Sequence, residues 1–266
     1  MQLSVVIITH NEEANIGRTL ASVQPLVSDG KGEIIVVDSG STDRTVEIAK
    51  SFGAKVFIEE WKGFAAQKNL AIDKSGGDWV LLLDADEEVS PGLMKEIEEI
   101  RGGPADDGFG SEDGYWIKRQ NQFLGRDLRH GGFWPDPKLR MFRRGKGRIE
   151  NRAVHETLQL EGRLGTLHYP LIHHSYPTLS DYIDHMNRYS SLGAEMVAAK
   201  GPVRFSVINI VLRPAATFIY NYFFRLGFLD GREGLLLHLY HAVYVSWKYA
   251  KAWELEKKAG ASLRSG

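Results

Sequence analysis

The chain has 266 residues, enough for one large α/β domain with an appended element or for two small domains. Its composition is globular, with 43% hydrophobic and 25% charged residues, and a formal net charge of -1 gives no sign of a nucleic-acid binder, which would more often be strongly basic. There is no cysteine, which excludes disulfides, thiolate nucleophiles and cysteine-ligated zinc or iron–sulfur centres.

Residues 1–13 (MQLSVVIITHNEE) lack the basic leading segment of a signal peptide, and a cytoplasmic location is expected. The run at 3–9 is continuous and β-branched, which suits a strand covered on both faces. Residues 12–24 have helical spacing at Ile16, Leu20 and Val23. A second buried strand is expected at 33–37, then a turn at 38–43 in which Ser41 or Thr42 would cap a helix at 45–52. A strand at 55–58, a helix at 63–74, a strand at 79–83 and a helix opening at Ser90-Pro91 follow. The resulting β-α-β-α-β-α-β-α order predicts an α/β fold, a doubly wound, mostly parallel sheet with helices on both faces. After a Gly- and Asp-rich loop at 102–114 the pattern is less regular, with strands expected at 115–122, 138–143 and 171–175. From 179 the chain reads as helical, over about 179–200, 203–228 and 232–258. The expected division is a domain at 1–178, with halves 1–101 and 102–178, and a helical extension at 179–266. No stretch reaches the roughly 18 uninterrupted apolar residues of a membrane-spanning helix; Arg213 and Pro214 interrupt one that comes close.

In open α/β sheets, ligands bind beyond the carboxyl ends of the strands. The first strand ends in Thr9-His10-Asn11-Glu12, the second in Asp38, and the fourth in Asp84-Ala85-Asp86-Glu87. Acids stand where a glycine-rich phosphate loop would be, so dinucleotide and P-loop readings lose their main support. Paired carboxylates at Asp84 and Asp86 suit a hard divalent ion, Mg²⁺ or Mn²⁺. The plainer reading of the triplet is an acidic turn capping the next helix. Asp38 before Ser-Gly-Ser is equally ordinary turn chemistry; its functional reading is an acceptor for a pyrimidine N–H or a ribose hydroxyl. Glu12 likewise caps its helix or faces the nucleoside.

Four segments in this order resemble the family 2 glycosyltransferases of GT-A fold: residues 4–16 (SVVIITHNEEANI), 34–45 (IIVVDSGSTDRT), Lys68-Asn69, and 81–87 (LLLDADE). The likeness continues through 134–144 (WPDPKLRMFRR) and Val154-His155-Glu156, where it resembles bacterial lipopolysaccharide inner-core β-1,4-glucosyltransferases. The resemblance implies an inverting enzyme taking a sugar, glucose by the subgroup, from a nucleotide-sugar, UDP-linked by the same analogy. Thr9, His10, Asn11, Glu12, Asp38, Lys68, Asp84, Ala85 and Arg140 would then hold the donor, with Asn69 buttressing the Lys68 helix. Asp86 would ligate the metal, with Asp84 and His155 as further ligands. Asp136 would be the general base, with Glu156 and Glu87 as fallbacks. The acceptor implied is a hydroxyl of a cell-envelope glycan or glycolipid. His173-His174 and His238/His241 have the look of metal pairs, but no carboxylate stands near them in sequence, so they are read as packing or interfacial residues.

Residues 126–152 hold nine Lys/Arg against three Asp/Glu, and this cluster brackets Asp136. Residues 200–266 hold ten Lys/Arg against four Asp/Glu, together with many aromatics. That pairing suggests a surface lying on the cytoplasmic face of an anionic membrane; packing on the catalytic domain or a dimer is the plainer alternative. Three rival functions remain: a polyprenyl-phosphate sugar transferase, a peptide glycosyltransferase, and a non-catalytic nucleotide- or glycan-binding module. The donor sugar, acceptor, linkage and oligomeric state are not fixed by these residues.

Overall fold

The computed structural model describes residues 1–102, 111–150 and 157–262. The four apolar runs become parallel strands, β1 (Leu3–Thr9), β2 (Gly32–Asp38), β3 (Lys55–Ile58) and β4 (Trp79–Asp84), side by side in the order β3-β2-β1-β4. Between them run α1 (Ile16–Val27), α2 (Thr45–Ser51) and α3 (Phe64–Asp73); β5 (Glu87–Val89) and α4 (Pro91–Gly102) follow β4. Alternate residues of one strand feed two cores. Leu3, Val5 and Ile7 of β1 pack with Leu20 of α1 and Ile97 of α4, while Val6 packs with Ala71 and Ile72 of α3. That is why these strands are continuous apolar runs and not alternating ones. Leu81, fully buried in β4, illustrates the energetics: Leu81→Ala would cost about 2–5 kcal/mol.

The doubly wound arrangement expected from the sequence is therefore present. One local detail differs. Neither Ser41 nor Thr42 caps α2; the capping position falls on Arg44, with no side-chain cap bond. Ser41 Oγ bonds to Asp38 instead, and Asp43 Oδ1 accepts from the Thr45 N–H at 3.0 Å.

The second half adds β6 (Gly114–Phe123), β7 (Arg126–Asp127), β8 (Asp136–Arg143), β9 (Gly147–Glu150), β10 (Thr157–Leu160), β11 (Leu164–Thr166) and β12 (Leu171–Tyr176). β8 runs antiparallel to β4 and β6, and β12 antiparallel to β5. The main path of the ten-stranded sheet is β3-β2-β1-β4-β8-β6-β12-β5, and β9 and β10 form a separate hairpin. The short strands β5, β7 and β9–β11 were not expected; two to four residues are too few to set a period.

The chain divides into two compact units, Met1–Gln120 with Asp136–His173, and Asn121–Pro135 with His174–Gly266. Residues 121–135 thus fall with the helices, because Phe123 and Leu128 join Tyr182 and Leu237 in one buried cluster. In that unit α5 (Leu179–Ala198) begins with a capping box between Thr178 and Asp181. A π-helical turn, Ile208–Leu212, runs into α6 (Arg213–Ile219) and a second π turn, Tyr220–Phe224; α7 (Gly231–Ser262) follows. No described helix is long and apolar enough to cross a membrane.

Candidate active site

The ends of β1 and β2 are tied to each other first. Thr9 Oγ1 donates to Asp38 Oδ2 at 2.8 Å, and Ser41 Oγ donates to the same oxygen. Asp38 Oδ1 accepts from the backbone N–H groups of Gly40 and Ser41 at 3.0 and 2.8 Å. Asp38 is fully buried, and these bonds fill the four acceptor positions of its carboxylate. A direct bond from Asp38 to a nucleoside would have to replace one of them. Asn11 adopts a left-handed conformation, φ 55°, which Asn tolerates better than most residues; its Oδ1 accepts from the Thr42 N–H at 2.8 Å. The Glu12 N–H donates to Thr45 Oγ1 at 2.7 Å, so the β1 turn is clamped to the start of α2. Burial raises the Glu12 carboxyl above its usual pKa, and the charges of Asp86, Asp43 and Asp84 add to the rise against a bond from Asn15. Glu12 thus feels the acids at the end of β4. His10 is exposed.

A chain of alternating charges crosses from β4 to β8. Asp84 meets Lys68 Nζ of α3 at 3.0 Å and Arg140 of β8. Burial alone would raise Asp84, but these two cations hold it well below the usual carboxylate range. Arg140 also donates to Glu87 Oε1 at 2.6 Å, and Glu87 is fully buried. Burial opposes the Arg140 charge, yet Asp84 and Glu87 outweigh it and raise its pKa. Arg119 of β6 stands 3.5 Å from Glu87 and donates to Asp136 Oδ2 through Nε and Nη2 at 2.9 and 2.7 Å. Lys138 Nζ lies 2.9 Å from the other Asp136 oxygen. Burial would raise Asp136 as well, but Arg119 and Lys138 bring it below its usual value. Asp136 is therefore an ionised and weak base, and Glu87 is a fully buried counter-ion of Arg140 and Arg119. Arg119, opposite Asp136 in the β6–β8 register, carried no signal in sequence, because a lone arginine in a strand is normally a solvated one.

The other end of the triplet meets a residue that the sequence reading set aside. His173 Nε2 of β12 lies 3.1 Å from Asp86 Oδ2. The absence of a nearby carboxylate in sequence was misleading, since antiparallel pairing of β12 with β5 places His173 opposite Glu87. Among the described residues no group of three His, Asp or Glu side chains is gathered to hold a metal. Two donors are nonetheless in place. Adjacent ligands of an octahedral ion with bonds of 2.0–2.1 Å are about 2.9 Å apart, so the Asp86–His173 spacing fits two neighbouring positions of one ion. Asp84, bracketed by Lys68 and Arg140, is less suited to the same task.

Of the remaining residues singled out above, Ala85 acts through its carbonyl, which accepts from Thr19 Oγ1 of α1 at 2.6 Å. Asn69 bonds both ways to the backbone of Ile149, at 2.9 Å each, and so pins β9 to α3. Beside that contact a cavity of about 100 Å³ is lined by Lys68, Trp116, Arg140 and Leu158 among others. His155 and Glu156 lie outside the described residues. His238 and His241 are packing residues: both rings lie against Phe133. The basic cluster divides in use. Arg140 and Lys138 reach the acids, whereas Arg143 lies over the Trp79 ring at 4.7 Å.

Comparison with known proteins gives these features a context. The glycosyl transferase family 2 profile matches residues 4–153, more than half of the chain. An uncharacterised glycosyltransferase of Rickettsia typhi, RT0209, is 32% identical over 268 residues, covering 97% of this chain and 89% of the relative. The lipopolysaccharide core biosynthesis glycosyltransferase LpsC of Rhizobium meliloti is 29% identical, covering 96% and 93%. Among solved structures, the mannosyltransferase PcManGT of Pyrobaculum calidifontis, in complex with GDP-Man and Mn²⁺, superposes with a TM-score of 0.55 at 14% identity, covering 94% of this chain and 86% of that one. That likeness is one of fold, and the sheet order above is the GT-A arrangement. The chain is a glycosyltransferase, and it belongs to glycosyl transferase family 2.

Proposed function

We propose that the chain transfers a sugar, with inversion, from a nucleotide-sugar to a hydroxyl of a cell-envelope glycan or glycolipid such as the lipopolysaccharide core, at the cytoplasmic face of the membrane. The observation that carries this is the meeting of Asp86 and His173 at 3.1 Å beside the Lys68–Asp84–Arg140 cluster. Asp86 and His173 would hold a divalent ion; of Mg²⁺ and Mn²⁺, the imidazole favours Mn²⁺. Such an ion, when bound, neutralises the diphosphate of the leaving nucleotide. Lys68 and the β1 turn at Thr9–Glu12 hold the nucleotide side. UDP-glucose is the donor by resemblance, and LpsC supports an envelope acceptor.

Asp136 takes the proton of the acceptor hydroxyl in this reading. Its pairing with Arg119 and Lys138 keeps it charged at neutral pH but makes it a weak base. That same pairing favours a second reading, a polyprenyl-phosphate acceptor, whose oxygen needs no deprotonation. A thermal-shift panel of UDP-, GDP-, ADP- and dTDP-sugars, with and without Mn²⁺, tests donor and metal together. A shift with UDP-glucose that needs Mn²⁺ is expected. No shift with any sugar nucleotide would support a non-catalytic module instead.

A further inference from the structure

The helical unit carries an apolar stripe with an unusual period. Positions 207/208, 211/212, 215/216, 219/220 and 223/224 are all exposed, and all are apolar or aromatic, from Val207-Ile208 at one end to Phe223-Phe224 at the other. Pairs repeating every four residues would drift about 40° per repeat around a regular α-helix, which turns once in 3.6 residues. The wider π turns at Ile208–Leu212 and Tyr220–Phe224 offset that drift and keep the stripe on one side. The residues between the pairs are mostly buried or half-buried, and the Ser246 hydroxyl of α7 donates to the Ile210 carbonyl at 2.8 Å. The helix thus has an inner face on α7 and an outer apolar face that no described part of the chain covers. Ile208 is 64% exposed and Phe224 74% exposed.

Charge identifies the occupant. From 196 to 229 there is no Asp or Glu, while Lys200, Arg204 and Arg225 lie there; Arg213, between two of the exposed pairs, is turned to Tyr249 of α7. A second copy packed on this face about a two-fold axis would set those cations against one another without a counter-charge. An anionic phospholipid surface supplies the counter-charge and takes the apolar side chains between its headgroups. Tyr220 is of the aromatic type that settles at headgroup level, and Phe223 and Phe224 are of the type that an interfacial helix buries just below it. We infer that this stripe seats the protein on an anionic bilayer, with the 207–224 helix lying in the plane of the headgroups and not spanning them. The inference deepens the proposed reaction by naming the surface that meets the membrane, and its test uses neither donor nor acceptor, so either can fail without the other.

The experiment is flotation of the full chain with phosphatidylcholine vesicles, alone or with phosphatidylglycerol mixed in at roughly one part in three. The chain is expected to float with the anionic vesicles, to release in high salt, and to float poorly with phosphatidylcholine alone. The double variant Ile208→Ser/Phe224→Ser, with an unchanged melting curve, is expected to lose about tenfold or more of that binding. A separate variant, Phe224→Trp, should show a blue shift of fluorescence when anionic vesicles are added. Wild-type chain that stays with the soluble fraction, a double variant that floats equally well, or an unshifted Phe224→Trp spectrum would each overturn the inference. So would a wild-type dimer in light scattering that the double variant turns into monomer, since the stripe would then belong to a second copy.

Discussion

Asp86 Oδ2 and His173 Nε2 are 3.1 Å apart although they stand 87 positions apart in the chain. If this pair holds the ion, Asp86→Asn and His173→Ala should each abolish the Mn²⁺-dependent thermal shift. Each should also lower sugar transfer on the order of 10³-fold, the scale of a lost metal contribution of several kcal/mol. His173→Ala with wild-type turnover and metal response would remove the pair from the site.

Arg140 is the shared cation of Asp84 and of the fully buried Glu87. Arg140→Ala leaves the buried Glu87 with Arg119 at 3.5 Å as its remaining cation, a loss of up to about 3–5 kcal/mol. The melting temperature should fall by roughly 10 °C. Adding Glu87→Gln to that variant should recover part of the loss, because the remaining group is neutral. A double variant less stable than Arg140→Ala would contradict the charge argument.

Arg119 decides how far Asp136 stays ionised in acid. With Arg119 present the carboxyl titrates below its usual value; in Arg119→Gln, burial is opposed by Lys138 alone, so the pKa rises. The acid limb of kcat/KM should therefore move to higher pH in Arg119→Gln, with the neutral limb unmoved. Asp136→Asn should lower transfer to a hydroxyl acceptor about 10²–10⁴-fold. An Asp136→Asn enzyme at full rate would instead favour a phosphate acceptor.

His238 is buried against Phe133 and Tyr222, with neither ring nitrogen hydrogen-bonded. Burial, with smaller contributions from His241 and Arg225 and against the pull of Asp230, lowers its pKa to about 4. Below pH 6.5 the unfolded chain takes up a proton that the folded chain refuses, so stability should fall as pH drops from 6.5 toward 4. His241, also lowered by burial and by Lys248, adds to the same slope. His238→Leu, which removes the titrating ring and its unpaired nitrogens, should flatten much of that slope in urea melts across this range. An unchanged slope would show that His238 is not its source.

The first half of the fold was readable because β1, β2 and β4 are continuous apolar runs, the latter two punctuated at Asp38 and Asp84, and both faces of the sheet are covered there. The reaction class was readable because four segments, 4–16, 34–45, Lys68-Asn69 and 81–87, stand together in the order of the family they resemble. His173 was not readable, since its partner lies far away in sequence and only strand pairing brings them together. Asp38 was read as a ligand contact or as turn chemistry, and its bonds to Thr9, Gly40 and Ser41 supply the turn chemistry. Arg119 was hidden for another reason: the charges that bury it, Glu87 and Asp136, come from two other strands.

The register of β12 on β5 has a consequence for what counts as a complete site. Side chains alternate across a strand, so a single residue inserted between Leu171 and His173 would turn the imidazole to the opposite face of the sheet. Every motif within 4–153, the part of the chain that defines its family, would remain intact. Membership of the family and possession of the Asp86–His173 pair are thus separable by one residue; if that pair holds the ion, a relative's competence rests on what its late strand delivers to the acid as well as on its early motifs.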